Sequence, residues 1–251
     1  MIHYHGPDGI KTDVLVNAMF GKHFMVSFAT PKKIRTIAAI SQSFSLDNGA
    51  FSFWKSGKKV NWDKYYKWCE KWLFHPACDF AIMPDLIDGN AEDSKALLYD
   101  WPFKRTRSAP VWHLHEPISY LKFLVENYSR VAMGSSGDYA KIGTLSWKNR
   151  MHEALSSICD EIGRPPCKIH GLRMLNHRIF SKYPFSSADS TNLAQGHKQN
   201  KRWTGSYKPP NNTVRAIVMA STIEAHQSAE IYKKQPDQKF PIIPQLARSS
   251  K

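Results

Sequence analysis

The strongest constraint on the fold is an alternation of short apolar segments with helical segments, repeated at least six times along the chain. The helical segments have apolar residues at three- and four-residue spacing. No hairpin turn joins two apolar segments directly, so the pattern predicts parallel strands with helical crossovers. The predicted strands are 24–28, 44–47, 80–85, 110–117, 130–134, 168–173 and 185–191, and the helices between them are 31–40, 62–74, 91–101, 118–127, 147–162 and 174–181.

Right-handed crossovers continued over this length close into a barrel. We therefore predict an α/β fold of the (β/α)8 TIM-like type, irregular in its last third. A doubly wound open sheet is the alternative, but that fold usually has a glycine-rich phosphate loop after its first strand. The segment Ser27-Phe28-Ala29-Thr30 contains no glycine, which favours the barrel.

The regular alternation ends after the seventh strand. Residues 191–215 form a predicted basic insertion that contains no Asp or Glu, and a last strand at 214–219 and a last helix at 222–233 are predicted after it. We expect one barrel domain over residues 1–235 and an extended or disordered tail over 236–251, because the tail is rich in proline and polar residues. The residues of the insertion expected to bind nucleic acid are Lys198, Lys201, Arg202, Trp203 and Lys208.

The net charge points to a polyanionic partner. The chain has a formal net charge of +14, and net charge is informative about partners rather than about fold. Nucleic acid is the partner that this charge favours.

No apolar run approaches the roughly 20 residues that span a bilayer, and no signal peptide is recognisable, so we expect a cytoplasmic protein. The four cysteines match no zinc or redox spacing, and no disulfide is expected.

Polar residues occupy the ends of most predicted strands. In a parallel barrel the carboxyl ends of all strands meet at one mouth, so residues distant in the chain would share a cavity there. A single Asp or His at a strand end is usually a cap or a core residue, but the recurrence at successive strand ends favours a site. The residues at the predicted mouth are Asp47, Asp85, His113, His115, Ser135, His170 and Asp189.

Three carboxylates without a cysteine pattern are typical of glycosyl chemistry. One carboxylate can attack an anomeric carbon and hold a covalent glycosyl intermediate, while a second moves a proton. A zinc or iron site is the alternative, since His113, His115 and His170 could bind such a metal together with an Asp. We expect neither a metal nor a cofactor.

Several short motifs resemble those of the tRNA-guanine transglycosylase superfamily, in particular the phage DNA transglycosylases that install 7-deazaguanine bases. Asp47-Asn48-Gly49-Ala50-Phe51 is similar to the superfamily's Asp-Ser-Gly-Gly-Phe motif, whose aspartate is a general acid/base. Segments 168–172 and 185–190 resemble two late strands, the second of which supplies the nucleophilic aspartate. Met83-Pro84-Asp85 and Val131-Ala132-Met133-Gly134 resemble segments that contact the guanine base. The late zinc-binding cysteine cluster of the tRNA enzymes has no counterpart here.

The resemblance implies a glycosyltransferase that exchanges a guanine-type base, in DNA rather than in tRNA, with a small-molecule base as second substrate. Asp189 would attack C1′ and Asp47 would act as the acid/base. A DNA glycosylase that hydrolyses the N-glycosidic bond, a non-catalytic nucleic-acid-binding barrel and a metal-dependent hydrolase remain open as alternatives. The residues expected to bind substrate are Asp85, Asn48, Gly49, His113, His115, Gly134, Ser135, His170 and Arg173.

Overall fold

The computed structural model describes residues 1–198 and 209–234, which fold into a barrel of parallel strands surrounded by helices. Within these residues, nine strand segments form one sheet in which all the pairings are parallel. The segments are β1 (Ile2–His5), β2 (His23–Ser27), β3 (Ser43–Asp47), β4 (Cys78–Ile82), β5 (Ser108–Ala109), β6 (Val111–His113), β7 (Arg130–Gly134), β8 (Lys168–Gly171) and β9 (Ser187–Ser190). Their order across the sheet is β5-β4-β3-β2-β1-β9-β8-β7-β6.

Pro110 separates β5 from β6, the two segments at opposite ends of the sheet order, so the two ends of the sheet are adjacent in the chain. β5 pairs with β4 and β6 pairs with β7, so residues 108–113 act as one strand that breaks at Pro110. Proline has no N–H to donate to a neighbouring strand, but the Pro110 carbonyl still accepts a hydrogen bond from the Ala132 N–H at 2.9 Å. The ring is nearly closed and has eight strand positions. The prediction of an α/β TIM-like barrel is confirmed.

Helices cover the outside of the barrel. Those within the described residues are α1 (Thr12–Ala18), α2 (Ile34–Ile40), α3 (Ala50–Lys55), α4 (Trp62–Trp72), α5 (Ala91–Tyr99), α6 (Ile118–Asn127), α7 (Leu145–Ile158), α8 (His177–Phe180), α9 (Asn192–Gly196) and α10 (Asn212–Glu224). Asparagine side chains cap α4, α5 and α10, where Asn61, Asn90 and Asn211 each accept a backbone N–H of the first turn. None of these helices is both long and apolar enough to cross a membrane.

Two apolar layers follow from the alternation of side chains along each strand. The larger layer lies between strands and helices and includes Phe44, Leu46 and Val131. The smaller layer fills the inside of the barrel and includes Tyr4 and Phe80. The two layers hold the strand ends in fixed positions, and those ends supply the residues of the mouth.

The last predicted strand and the last predicted helix are both wrong. Residues 214–219 lie within α10, because β1 already occupies the sheet position beside β9 and leaves no edge for a further strand. Residues 225–234 are not helical. Instead, the Tyr232 N–H donates to the Gly163 carbonyl at 2.7 Å. A Cβ at Gly163 would lie 2.1 Å from the Tyr232 carbonyl oxygen, so the close approach of the two segments depends on that glycine.

Sequence reasoning did not identify β1, α1 or α3. The predicted basic insertion contains α9 and the start of α10, and residues 199–208 lie outside the described part of the chain. The predicted tail, 236–251, also lies outside it.

Candidate active site at the barrel mouth

A cavity of about 370 Å³ opens at the carboxyl ends of the strands. In TIM-like barrels this end, where the loops after the strands converge, is where active sites lie. The cavity is partly polar, and every strand segment except β5 contributes residues to it, either from the strand itself or from the loop after it. Predicted site residues that line it are Asp47, Asn48, Asp85, His113, Gly134, Ser135, Arg173 and Asp189.

Asp47 is the last residue of β3 and is partly exposed to the cavity. Its Oδ2 accepts a hydrogen bond from the Gly49 N–H at 3.1 Å. The pKa of Asp47 is raised to about 7, mainly by burial and also by the negative charges of Asp189 and Asp85, while hydrogen bonds from Ser27 and the Gly49 N–H oppose the shift. Asp47 can therefore both hold and release a proton near neutral pH, as a general acid/base requires.

Asp189 lies on β9, between the neighbouring strands β1 and β8. Its Oδ1 accepts a hydrogen bond from the Arg173 N–H at 2.8 Å. Among the described residues, Arg173 is the only non-glycine residue with a positive φ, at 59°. That backbone conformation is disfavoured by roughly 1–2 kcal/mol, and here it directs the N–H towards the carboxylate.

Asp85 follows β4 and is held by two buried partners. Its Oδ1 accepts from Asn48 Nδ2 at 2.5 Å and its Oδ2 lies 2.6 Å from His113 Nε2. Asn48 Nδ2 also donates to the Met83 carbonyl at 2.6 Å. Burial alone would lower the pKa of His113, but the hydrogen bond and charge of Asp85 outweigh that effect and raise it. Asn48, Asp85 and His113 thus form a rigid, charged wall of the cavity.

Gly134 and Ser135 form the wall beside His113. A Cβ at Gly134 would lie 2.8 Å from His113 Nδ1, so only glycine fits there without displacing the imidazole. The Ser135 hydroxyl accepts a hydrogen bond from Trp147 Nε1 at 2.9 Å, and its carbonyl accepts one from Arg173 Nη2 at 3.0 Å. The His113 ring therefore packs directly against Gly134, whose carbonyl accepts a hydrogen bond from the Leu114 N–H at 2.9 Å, while Ser135 links the wall to Arg173.

Three predicted substrate-binding residues do not line the cavity. His115 donates from Nε2 to the Gly89 carbonyl at 3.0 Å, and its Nδ1 lies 2.6 Å from the Ser136 hydroxyl, so both ring nitrogens have protein partners. Gly49 has φ of 75° and immediately precedes α3, and a Cβ there would lie 2.8 Å from the Ala29 nitrogen. His170 is fully buried inside the barrel below the cavity.

The rim of the cavity contains an aromatic and basic group that sequence reasoning had not assembled. This rim cluster consists of Phe51, Trp54, Lys55 and Arg173. The Arg173 guanidinium lies 3.9 Å from the centre of the Phe51 ring, and the Trp54 ring is 5.6 Å from that of Phe51. Trp54 is 47% exposed. The three- and four-residue spacing of Phe51, Trp54 and Lys55 is the sequence feature that could have indicated this cluster. It was missed because α3, the short helix that carries all three residues, was not predicted.

Of the residues expected to bind nucleic acid, only Lys198 falls within the described part of the chain, where it is exposed. The others, Lys201, Arg202, Trp203 and Lys208, lie outside the described residues.

In residues 1–198 and 209–234, no three His, Cys, Asp or Glu side chains are grouped as a metal site would require. The rings of His113 and His115 stack at 5.8 Å.

The strands, helices and polar mouth together define an α/β barrel of the TIM-like class with a candidate active site at its carboxyl end. Comparisons of the chain with family models, with curated proteins and with solved structures find no match. Function therefore has to be inferred from the cavity itself, in which Asp47, Asp85 and Asp189 meet.

Proposed function

We propose that this protein is a nucleic-acid base transglycosylase that exchanges a guanine-type base, in DNA, for a free base such as a 7-deazaguanine. The observation that supports this most directly is the pairing of Asp47 and Asp189 in one cavity. Burial and the charge of Asp189 bring the pKa of Asp47 to about 7. Two carboxylates in different environments can take different roles, one as proton donor and one as nucleophile.

The proposed exchange has two mirror-image steps. In the first, an Asp189 oxygen forms a bond to C1′ as the C1′–N bond of the outgoing base breaks, through an oxocarbenium-like state. The electron pair of the broken bond stays on the base nitrogen, and Asp47 donates a proton to the departing base. In the second, Asp47 takes a proton from the incoming base, whose nitrogen attacks C1′ and releases Asp189. Atoms and charge balance, and the net change is one base for another.

Base recognition is assigned to the wall formed by Asn48, Asp85, His113 and Gly134. An ionised carboxylate can accept more than one hydrogen bond on each oxygen, so Asp85 can accept N–H groups of a guanine edge while it remains held by Asn48 and His113. Gly134 contributes by its small size, because a side chain at this position would displace the His113 imidazole that holds Asp85. A flat heterocycle with neighbouring N–H donors is the ligand class that this wall fits.

A nucleic-acid substrate is supported by charge and by the rim cluster. The chain has a formal net charge of +14, which favours a polyanion. Enzymes that act on a base in a polynucleotide bring it out of the stack, at a cost of a few kcal/mol. Aromatic faces beside basic side chains, as in the rim cluster, are typical of surfaces that stack unpaired bases and hold phosphates.

The test is a mass-spectrometric analysis of nucleosides after incubation of DNA with the protein and either labelled guanine or a 7-deazaguanine. We expect incorporation of the free base by the wild type and a loss of at least about 10³-fold in Asp189→Asn. Asp138→Asn, which removes an exposed carboxylate outside the cavity, is the matched control and should retain activity. Free guanine accompanied by abasic sites would instead identify a hydrolytic glycosylase, and an unchanged base composition would overturn the proposal.

A further inference from the structure

His170 lies inside the barrel, directly beneath the proposed nucleophile. It is fully buried, and its ring packs at 5.3 Å from that of Phe80 and 6.0 Å from that of Tyr4. Its Nε2 lies 3.4 Å from Asp189 Oδ1. This separation is slightly longer than an ordinary hydrogen bond, and no other described residue offers Nε2 a partner. The imidazole therefore contacts the carboxylate and not the cavity.

The other ring nitrogen of His170 leads to a chain of polar groups that runs down the barrel. Nδ1 lies 2.8 Å from the Ser187 hydroxyl. Arg130 Nη1 donates to that same hydroxyl at 3.5 Å, and Arg130 Nη2 lies 3.2 Å from Asp79 Oδ2. Asp79 also accepts a hydrogen bond from the Tyr4 hydroxyl at 2.8 Å. Asp79 thus holds Arg130 in place, and the Ser187 hydroxyl lies between Arg130 and His170.

This chain determines which nitrogen of His170 bears the proton. Arginine has donors only, so the Ser187 oxygen accepts from Arg130 and its own O–H is free to donate. The available acceptor is His170 Nδ1. A neutral imidazole that accepts at Nδ1 has its proton on Nε2, and that N–H points at Asp189 Oδ1. The opposite tautomer would place a lone pair against a carboxylate oxygen, which is repulsive.

We propose that His170 is a positioning residue that holds Asp189 for attack through its Nε2–H, and that Ser187 and Arg130 fix this tautomer. This inference rests on the proposed function of Asp189. Oδ1 would be held by His170 and by the Arg173 N–H, while Oδ2 has no hydrogen-bond partner among the described residues. Oδ2 is therefore the oxygen assigned to C1′. The 3.4 Å contact is expected to shorten when substrate binds, as catalytic hydrogen bonds commonly do.

Burial supports a neutral imidazole. It lowers the pKa of His170, and the hydrogen bond and charge of Asp189 only partly oppose that shift. A neutral His170 donates a hydrogen bond to the carboxylate without transferring a full proton charge to the pair, as a nucleophilic role of Asp189 requires. This distinguishes a positioning residue from a proton donor to Asp189.

The first test reads the tautomer directly and needs no activity. Long-range ¹⁵N–¹H correlation spectra of the full chain with labelled histidine, assigned by comparison with His170→Gln, should show His170 as neutral with its proton on Nε2. In Ser187→Ala, where only Asp189 still favours this tautomer, a fraction protonated on Nδ1 should appear, whereas Ser190→Ala, on the same strand with its hydroxyl towards Leu175, should leave the ring unchanged. A proton on Nδ1, or a charged imidazole at neutral pH, would overturn the inference.

The second test separates positioning from folding. Glutamine can place an N–H near the position of Nε2 and leucine cannot. We expect His170→Leu to lower kcat by roughly 10- to 100-fold, the effect of losing a hydrogen bond to a charged group, with KM nearly unchanged, and His170→Gln to recover most of kcat. Equal kcat values for the two variants would contradict the inference. If the wild type exchanges no base, the proposed function fails, and the tautomer measurement still decides the role of His170.

Discussion

Asp85 and His113 form a buried pair in which Asp85 Oδ2 lies 2.6 Å from His113 Nε2. The pairing raises the pKa of His113 above its ordinary 6.5 even though burial opposes it. The stability that the charged pair contributes is therefore fully present below pH 6.5 and is lost as the pH rises through the raised pKa. The pair thus makes the stability of the wall proposed to bind the base depend on pH.

We predict that Asp85→Asn destabilises the protein more at pH 5.5 than at pH 9. Removing one partner of a buried ion pair costs roughly 3–5 kcal/mol, and the charged form of His113 is more populated at the lower pH. Urea unfolding at the two pH values measures the difference. Asp93→Asn, at an exposed position in α5, is the control. Equal destabilisation by Asp85→Asn at both pH values would show that the charge of His113 does not change between them in the folded protein.

The raised pKa of Asp47 predicts opposite effects of Asp47→Asn on stability and on activity. The folded protein disfavours the carboxylate, so the wild type loses stability relative to the variant as the pH rises from about 4 through about 7. At pH 9 the variant should be more stable by about 1–4 kcal/mol, an interval that allows for screening by solvent in the cavity. Thermal unfolding from pH 4 to pH 9 measures this, with Asp138→Asn as control.

The same group should appear in the pH profile of base exchange. If Asp47 donates its proton to the departing base, kcat/KM should fall above pH 7, where Asp47 loses that proton. Asp47→Asn should lower the rate and abolish this limb of the profile. A limb near pH 7 that persists in the variant would assign the proton transfer to another group.

The rim cluster predicts a stacking contribution to nucleic-acid binding. Trp54→Ala should weaken the binding of single-stranded DNA by roughly 5- to 100-fold, because stacking on one aromatic ring contributes about 1–3 kcal/mol per base. Fluorescence anisotropy with a labelled oligonucleotide measures the affinity. Tyr99→Ala is the matched control, since Tyr99 is 74% exposed but lies at the C-terminal end of α5, away from the mouth. Similar losses in both variants would exclude a specific role for the rim.

We predict that Glu224, in α10, helps to hold this helix on the barrel. It contacts Lys22 and lies 3.0 Å from His5 Nε2. Burial alone would raise the pKa of Glu224, but the hydrogen bonds from His5 and Lys22 lower it to about 2. The resulting stability is present above pH 4.5 and is lost as the pH falls through 2. Glu224→Gln should therefore cost about 1–3 kcal/mol at pH 7 and much less near pH 2, whereas Glu153→Gln, at an exposed ion pair, should have little effect at either pH.

Local signals in the sequence were sufficient for most of the barrel. Helix α6 and strand β7 were predicted with their observed bounds, because apolar periodicity and Pro117 define them within a few residues. Asp47 was placed correctly at a strand end because Gly49 follows it. Strand β1 was missed because Ile2-His3-Tyr4-His5 is short and half polar. Its pairing with β2 and β9 is a tertiary effect that no local pattern reveals.

In the candidate site, too, local patterns were sufficient for some residues and not for others. The position of Asp47, Asp85 and Asp189 at predicted strand ends led us to expect that they share a cavity, and they do. The position of His170 depended instead on strand register, since it pairs with Ser187 and therefore lies below the cavity. The rim cluster depended on α3, whose aromatic residues do not favour a helix in isolation. Catalytic function itself stays a prediction until base exchange is measured.

The pairing of Ile2–His5 with Ser187–Ser190 also bears on how the chain is synthesised. At roughly 5–20 residues per second, the ribosome takes on the order of ten seconds or longer to deliver the partner of β1. During that time a nascent barrel has an unpaired edge on each side, and such edges recruit other strands. The edge strands carry the polar residues His3 and His5 and the charged residue Lys168, and such side chains disfavour contacts of this kind. A truncated product that ends before β9 would keep both edges open and should aggregate.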